Sequence, residues 1–248
     1  MRSLTQANIC FFYLANKKER YLMKKFFLFF LIAVFTIFLY PQNNKSNQTK
    51  EVNNNGTLHL PKYWEIRLDK TDANKNDIKV TSDSNYNHFV TGPAAIYYNT
   101  KNAEYGLYKI EAEFIQVKPS KHPEGYGLFF AGSNLQKDNQ YYFYFLIRQD
   151  GKYLIKERNG KDTKEIVNWT SDENINSHNK KGQTINKLTI TVNSRVVIFG
   201  ANGKAVKFFS KSQFDKTVGI VGLRINHNLN VKVSGLKIEH FKANVNQR

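Results

Sequence analysis

The chain has 248 residues and a formal charge of +17. Aromatic residues make up 14% of it, with 19 Phe and 14 Tyr. Five Pro and 14 Gly exclude a collagen-like or low-complexity chain, and 41% apolar residues suffice for a core. The single cysteine, Cys10, lies ahead of the first apolar run. The rest of the chain therefore has no disulfide, no thiol nucleophile and no cysteine-built zinc site.

In chain order, residues 1–22 read as an extension upstream of Met23. Lys24 and Lys25 then precede a 15-residue apolar run over 26–40. As a helix this run rises about 22 Å, short of a hydrocarbon core of about 30 Å. A charged start and a short apolar run form the pattern of a signal peptide. The expected location is therefore extracytoplasmic: periplasmic, secreted or surface-tethered. No small-residue cleavage site follows Tyr40-Pro41, so an uncleaved N-terminal membrane anchor stays open. Residues 42–57 carry almost no apolar side chain and read as a flexible linker. The folded domain is expected over 58–248.

From Leu58 onward, apolar residues recur with period two. Strands are expected at Trp64–Leu68, 88–91, 94–98, 106–117, 125–132, 141–149, 152–158, 163–169, 187–193, 195–200, 205–209, 218–226 and 231–241. Asp150-Gly151, Asn159-Gly160 and Asn202-Gly203 are hairpin signals, because these residues tolerate positive φ. Many short strands at even spacing, with almost no helix, imply an all-β antiparallel sandwich of two sheets. Over 141–148 the alternation puts Tyr141, Phe143, Phe145 and Ile147 on a core face. Tyr142, Tyr144, Leu146 and Arg148 fall on the other face, expected to be partly wet because buried phenols and guanidinium groups need partners.

Four segments then carry a resemblance. His122-Pro-Glu-Gly-Tyr-Gly-Leu-Phe-Phe-Ala-Gly132 runs into Gln140-Tyr-Tyr-Phe-Tyr-Phe-Leu-Ile-Arg148. Asp150-Gly-Lys-Tyr-Leu-Ile-Lys-Glu-Arg158 follows, and the end reads Gly219-Ile-Val-Gly-Leu-Arg-Ile-Asn-His-Asn-Leu-Asn-Val-Lys-Val-Ser-Gly-Leu-Lys-Ile238. Over roughly 64–241 the chain resembles concanavalin A-like (laminin G-like) jelly rolls, near the bacterial 3-keto-disaccharide hydrolase domain family. The resemblance implies a two-sheet jelly roll with a concave face that often binds sugars.

Candidate chemistry follows from both readings. Tyr142, Tyr144, Arg148, Lys156, Arg158 and Trp169 lie on neighbouring strands, where aromatic faces suit sugar C–H faces and arginines suit hydroxyls. His122 and Asn226, in rim loops, join them as ligand-binding candidates. Glu111 and Glu113 share one strand face, and with Glu124 they are the catalytic candidates, since glycoside hydrolysis needs two carboxylates. The family-sixteen glucanase pattern Glu-x-Asp-x-x-Glu is not completed, because position 116 is Gln. His122, Glu124, His178 and His227 match no metal-ligand spacing, so neither a metal nor a cofactor is expected. There is no phosphate-cradling glycine loop, no Gly-x-Ser-x-Gly and no His-Glu-x-x-His.

Beyond Pro41 the chain carries 31 basic and 19 acidic side chains, a net charge of +12. Such a surface attracts polyanions, acidic polysaccharide and anionic lipid included. The lysines are scattered and the longest later run is Lys180-Lys181, so nucleic acid is not an expected partner. The leading expectation is an exported carbohydrate-binding protein. A glycoside hydrolase and an envelope interaction scaffold are the alternatives.

Overall fold

A computed structural model describes residues 58, 60–178 and 183–242. Cys10, the expected export segment and linker, and the Lys180-Lys181 pair lie outside the described residues.

Among the described residues the strands are β1 (Trp64–Leu68), β2 (Lys79–Ser82), β3 (Tyr86–Val90), β4 (Ala95–Glu104), β5 (Tyr108–Gln116), β6 (Gly125–Ser133), β7 (Tyr141–Arg148), β8 (Lys152–Asn159), β9 (Asp162–Ser171), β10 (Thr184–Val192), β11 (Val196–Ala201), β12 (Lys204–Ser210), β13 (Gly219–Ile225), β14 (Asn230–Ser234) and β15 (Lys237–His240). Two short 3₁₀ turns, Lys75–Asp77 and Lys211–Gln213, are the helical elements. A seven-stranded sheet has the order β1-β4-β13-β6-β7-β8-β9. An eight-stranded sheet runs β12-β11-β10-β5-β14-β3-β2, with β15 also paired to β5. The pairings are antiparallel. The expected two-sheet sandwich is what forms.

The three glycine hairpins behave as their chemistry requires. Asn202 and Gly203 both have positive φ, 51° and 82°, and join β11 to β12 across the pair Ala201 and Lys204. That is the primed two-residue turn whose twist matches antiparallel strands. A Cβ on Gly203 would meet nothing within 4 Å. Gly203→Ala therefore isolates the backbone penalty of left-handed φ, and denaturant unfolding should record a loss of about 1–2 kcal/mol.

Three strand details depart from the sequence expectation. β4 continues to Glu104, because β13 pairs with Ala103 and Glu104 beyond a bulge. β2 was not expected from its single apolar residue, Val80. It is an edge strand held by pairing to β3. The single strand expected over 231–241 is two strands. β14 pairs with the Phe114–Gln116 end of β5 and β15 with its Tyr108–Glu111 end, so the chain breaks at Gly235-Leu236.

The inner faces of the two sheets meet in one aromatic core. Phe130, Phe143, Phe145, Phe199 and Phe214 pack edge-on, tilted or stacked with ring centroids 4.9–6.2 Å apart in their contacting pairs. Phe130, Phe143, Phe145 and Phe199 are fully buried. Such contacts add about 0.5–1.5 kcal/mol each to area burial.

Candidate functional site

The site is on the outer face of the seven-stranded sheet. Strand register places Tyr144 between Phe129 and Lys156, and Tyr142 beside Arg158. Arg224 of β13 sits beside Ile96 and Gly127 on the same face. Opposite faces for Tyr142 and Phe143 are thus as the alternation implies.

The expected wetness of this face is corrected. Tyr142 and Tyr144 are only 1% and 5% exposed. They belong to a second apolar cluster with Ile96, Tyr98, Phe129, Leu135, Leu146 and Leu154. The physical reason is a cover that strand alternation does not encode. The loop between β6 and β7 folds back over the sheet and inserts Leu135. Its Gln136 Nε2 lies 2.8 Å from the Tyr98 hydroxyl oxygen and 3.2 Å from the Ile66 carbonyl oxygen. The Tyr98 hydroxyl in turn donates to Glu65 Oε2 at 2.7 Å. At the other end Trp169 lies over Gly125, where a Cβ would come within 3.0 Å of the indole. The Arg148 guanidinium stands 4.5 Å from the Trp169 ring centre, and its Nε donates to Asp150 at 2.7 Å.

Between these covers lies Arg224, a residue the sequence reading did not single out. Its Nη1 and Nη2 donate to Asp69 Oδ1 and Oδ2 at 2.8 and 2.5 Å. Nη1 also lies 3.0 Å from the Tyr142 hydroxyl, and the guanidinium stands 4.7 Å from the Tyr144 ring centre. A fork-to-fork pair of this kind fixes geometry as well as charge. The signal was present: an arginine between Leu223 and Ile225 in a buried strand needs a partner. The partner carried no signal. Asp69 follows β1 and is set in place by its own N–H to Ala94 O, 3.0 Å.

Burial pushes the Asp69 carboxyl up. The Arg224 charge and hydrogen bonds, helped by Arg158 and His227, outweigh this and hold it below the ordinary carboxylate range. Burial opposes the Arg224 charge, but Tyr142, Asp69 and Tyr144 keep it protonated. With the folded pKa of Asp69 below its unfolded value of about 3.9, the pair's stabilisation is complete above that value. It is lost as pH falls through the folded one. Unfolding measured at pH 5 and pH 3 should show a steeper acid loss for the wild type than for Asp69→Asn. Equal slopes would mean Asp69 is not the titrating group.

An open groove of about 710 Å³ adjoins the pair, within the ~300–1,000 Å³ range of ligand sites. Arg67, Asp69 and Lys70 line one side; Asp138, Arg158 and Lys161 line the other. β1 and β8 are five places apart in the sheet, roughly 24 Å if flat. Side chains from both strands nevertheless line one groove, together with Lys70, Thr71 and Asp72 of the loop after β1. Lys156 is paired with Glu165 at 3.5 Å on the same face. Beyond the end of β13, Asn226 keeps a buried Oδ1 without a partner, as do the Nε atoms of Arg67 and Arg224. His227 lies 3.8 Å from Glu124. His122 is exposed in the loop between β5 and β6.

Glu111 and Glu113 are elsewhere. They sit on the outer face of the eight-stranded sheet, with the whole sandwich core between them and the groove. Glu111 pairs with Lys109 at 3.0 Å and Lys187 at 3.7 Å; Glu113 accepts from the Tyr86 hydroxyl at 3.2 Å. Burial raises the Glu111 carboxyl, but Lys109, Lys187 and Lys237 bring it below the ordinary range. A general acid needs the opposite shift. Structure therefore brings together Tyr142, Tyr144, Arg148, Lys156, Arg158 and Trp169, and it separates the Glu111 and Glu113 carboxylates from them.

The same two-sheet arrangement recurs in solved proteins. A carbohydrate binding module, CBM66 from Bacillus subtilis, matches with TM-score 0.52 and 9% identity over 72% of this chain and 96% of that one. A Bacteroides ovatus GH16 protein of a mixed linkage glucan PUL, solved in complex with product, matches with TM-score 0.52 and 10% identity over 74% and 98%. A Bacillus subtilis protein of unknown function with a galectin-like fold matches with TM-score 0.51 and 10% identity over 71% and 88%. The fold is a concanavalin A-like jelly roll. No protein-family profile and no curated protein matches the chain, so kinship to the 3-keto-disaccharide hydrolase family rests on the sequence resemblance alone.

Proposed function

We propose that this jelly roll is an exported carbohydrate-binding protein whose ligand occupies the groove on the outer face of the seven-stranded sheet. The observation that carries the reading is the Arg224–Asp69–Tyr142–Tyr144 assembly beside that groove. A buried, fully oriented guanidinium is costly to place and adds little stability over an apolar packing. It does hold Asp69 in a fixed rotamer at the groove wall. Arg67 and Arg158 then offer planar donor forks to sugar hydroxyls. Half-buried Trp169, packed against the Tyr142–Tyr144 cluster on the same sheet face, offers an apolar ring edge outside the groove. A protein named as a carbohydrate binding module and a GH16 protein with bound product share this sandwich, which supports the reading at the level of fold. Lys24, Lys25 and the apolar run over 26–40 support export.

The hydrolase alternative has less to stand on. Two carboxylates must flank a scissile bond, one of them protonated. Of the groove's Asp69, Asp72 and Asp138, the least exposed is Asp69, and Arg224 keeps it ionised.

The test is a glycan array on the purified full chain, followed by calorimetry with the best ligand. Trp169→Ala should weaken binding by about 1–3 kcal/mol, the scale of an interface hot spot. A folded protein that retains no glycan would overturn the reading.

A further inference from the structure

The charges around the groove point to a narrower class of ligand. Arg67, Lys70, Arg158 and Lys161 line it. Among the described residues none of the four has an ion-pair partner within 4.0 Å. Asp69 is neutralised by Arg224, which leaves Asp72 and Asp138, both exposed, as the groove's unpaired carboxylates. Four unpaired cations thus face two unpaired anions.

The guanidinium groups sharpen this. Arg67 Nε is buried and has no hydrogen-bond partner, and Arg224 Nε is in the same state. A buried donor left unmade costs about 1–3 kcal/mol, so the protein itself does not saturate either guanidinium. Arg158 is tied by its Nε to Gly160 O at 2.8 Å, which fixes the side chain and, among the described residues, leaves its two terminal nitrogens without a partner. Planar forks of this kind, fixed on rigid strands, match a carboxylate in two parallel hydrogen bonds better than they match isolated hydroxyls.

Building on the carbohydrate reading, we infer that the groove takes an anionic sugar, an oligosaccharide with carboxylate-bearing uronic acid units. One carboxylate bridges Arg67 or Arg158, and the sugar ring continues along the sheet toward Trp169. A basic groove also draws such a ligand in from solution, an effect that salt screens.

The experiment uses one polymer in two forms. Calorimetry on the full chain compares oligogalacturonate with its methyl ester, which keeps the sugar and removes the charge. The acid form should bind at least about tenfold tighter, since hydrogen bonds to charged groups exceed those to neutral ones by that order. Raising ionic strength should weaken the acid form and leave the ester unchanged. Arg158→Gln, with thermal unfolding as the folding control, should lose that preference. If the ester binds as well as the acid, the anionic inference falls and the carbohydrate reading survives. If a sulfated oligosaccharide of the same length binds tighter than the uronate, the carboxylate assignment falls. If neither pectic form nor any array glycan binds the folded chain, both readings fall together.

Discussion

Arg224→Met is expected to destabilise the protein by about 3 kcal/mol, the low end of the cost of removing one partner from a buried ion pair, because the Asp69 side chain is 24% exposed. The substitution keeps the apolar length of the side chain, so it isolates the charge. It leaves the Asp69 carboxylate without its two donors and removes the guanidinium contact of the Tyr142 hydroxyl and the Tyr144 ring. Much of the cost is the stranded anion rather than the worth of the pair. Combining Arg224→Met with Asp69→Leu should therefore recover most of the loss, because a well-packed apolar replacement of a buried pair is often neutral. Denaturant unfolding of the wild type and both variants decides the point. A single-variant loss under about 1 kcal/mol would place the pair in solvent, where ion pairs contribute that little.

Phe145→Ala should cost about 3–5 kcal/mol by leaving a cavity in the main core. Phe145 is fully buried, with the Phe199 and Tyr153 rings 5.5 and 6.1 Å from its own. The adjacent substitution, Tyr144→Ala, is the informative comparison. A wet Tyr144 would lose little stability. The structure puts it in a second cluster between Tyr142 and Arg224, so its removal should cost roughly 2–5 kcal/mol. If Tyr144→Ala unfolds at the wild-type denaturant midpoint, the outer face is open and Leu135 does not cover it. If it unfolds early, as expected, ligand affinity must be tested at Trp169 and Arg158 instead.

The contrast between these two neighbours marks where sequence reading ran out. Period-two alternation assigned Phe145 and Tyr144 to opposite faces without error, because side-chain direction in a strand is a local property of the backbone. The turn residues likewise announced their hairpins, since positive φ at Asn202 and Gly203 is written into residue type. The placement of Glu111 and Glu113 away from the groove has a related reason. Glu111 and Glu113 do share a face, but which sheet that face belongs to is a matter of topology. In this molecule β5 lies in the eight-stranded sheet and β7 in the seven-stranded one.

By itself, then, the sequence determined most of the strands, their hairpins, their faces and the antiparallel sandwich, because side-chain direction and turn chemistry are set a few residues apart; the edge strand β2 and the break between β14 and β15 came from pairing. Tertiary structure alone decided that both faces of β7 are buried, because the cover comes from the loop carrying Leu135 and Gln136. It also decided that Arg224 is paired, because Asp69 lies 155 residues away. Long-range contacts of this kind leave no periodic trace: a loop residue that closes over a sheet looks the same in sequence as one that points into water.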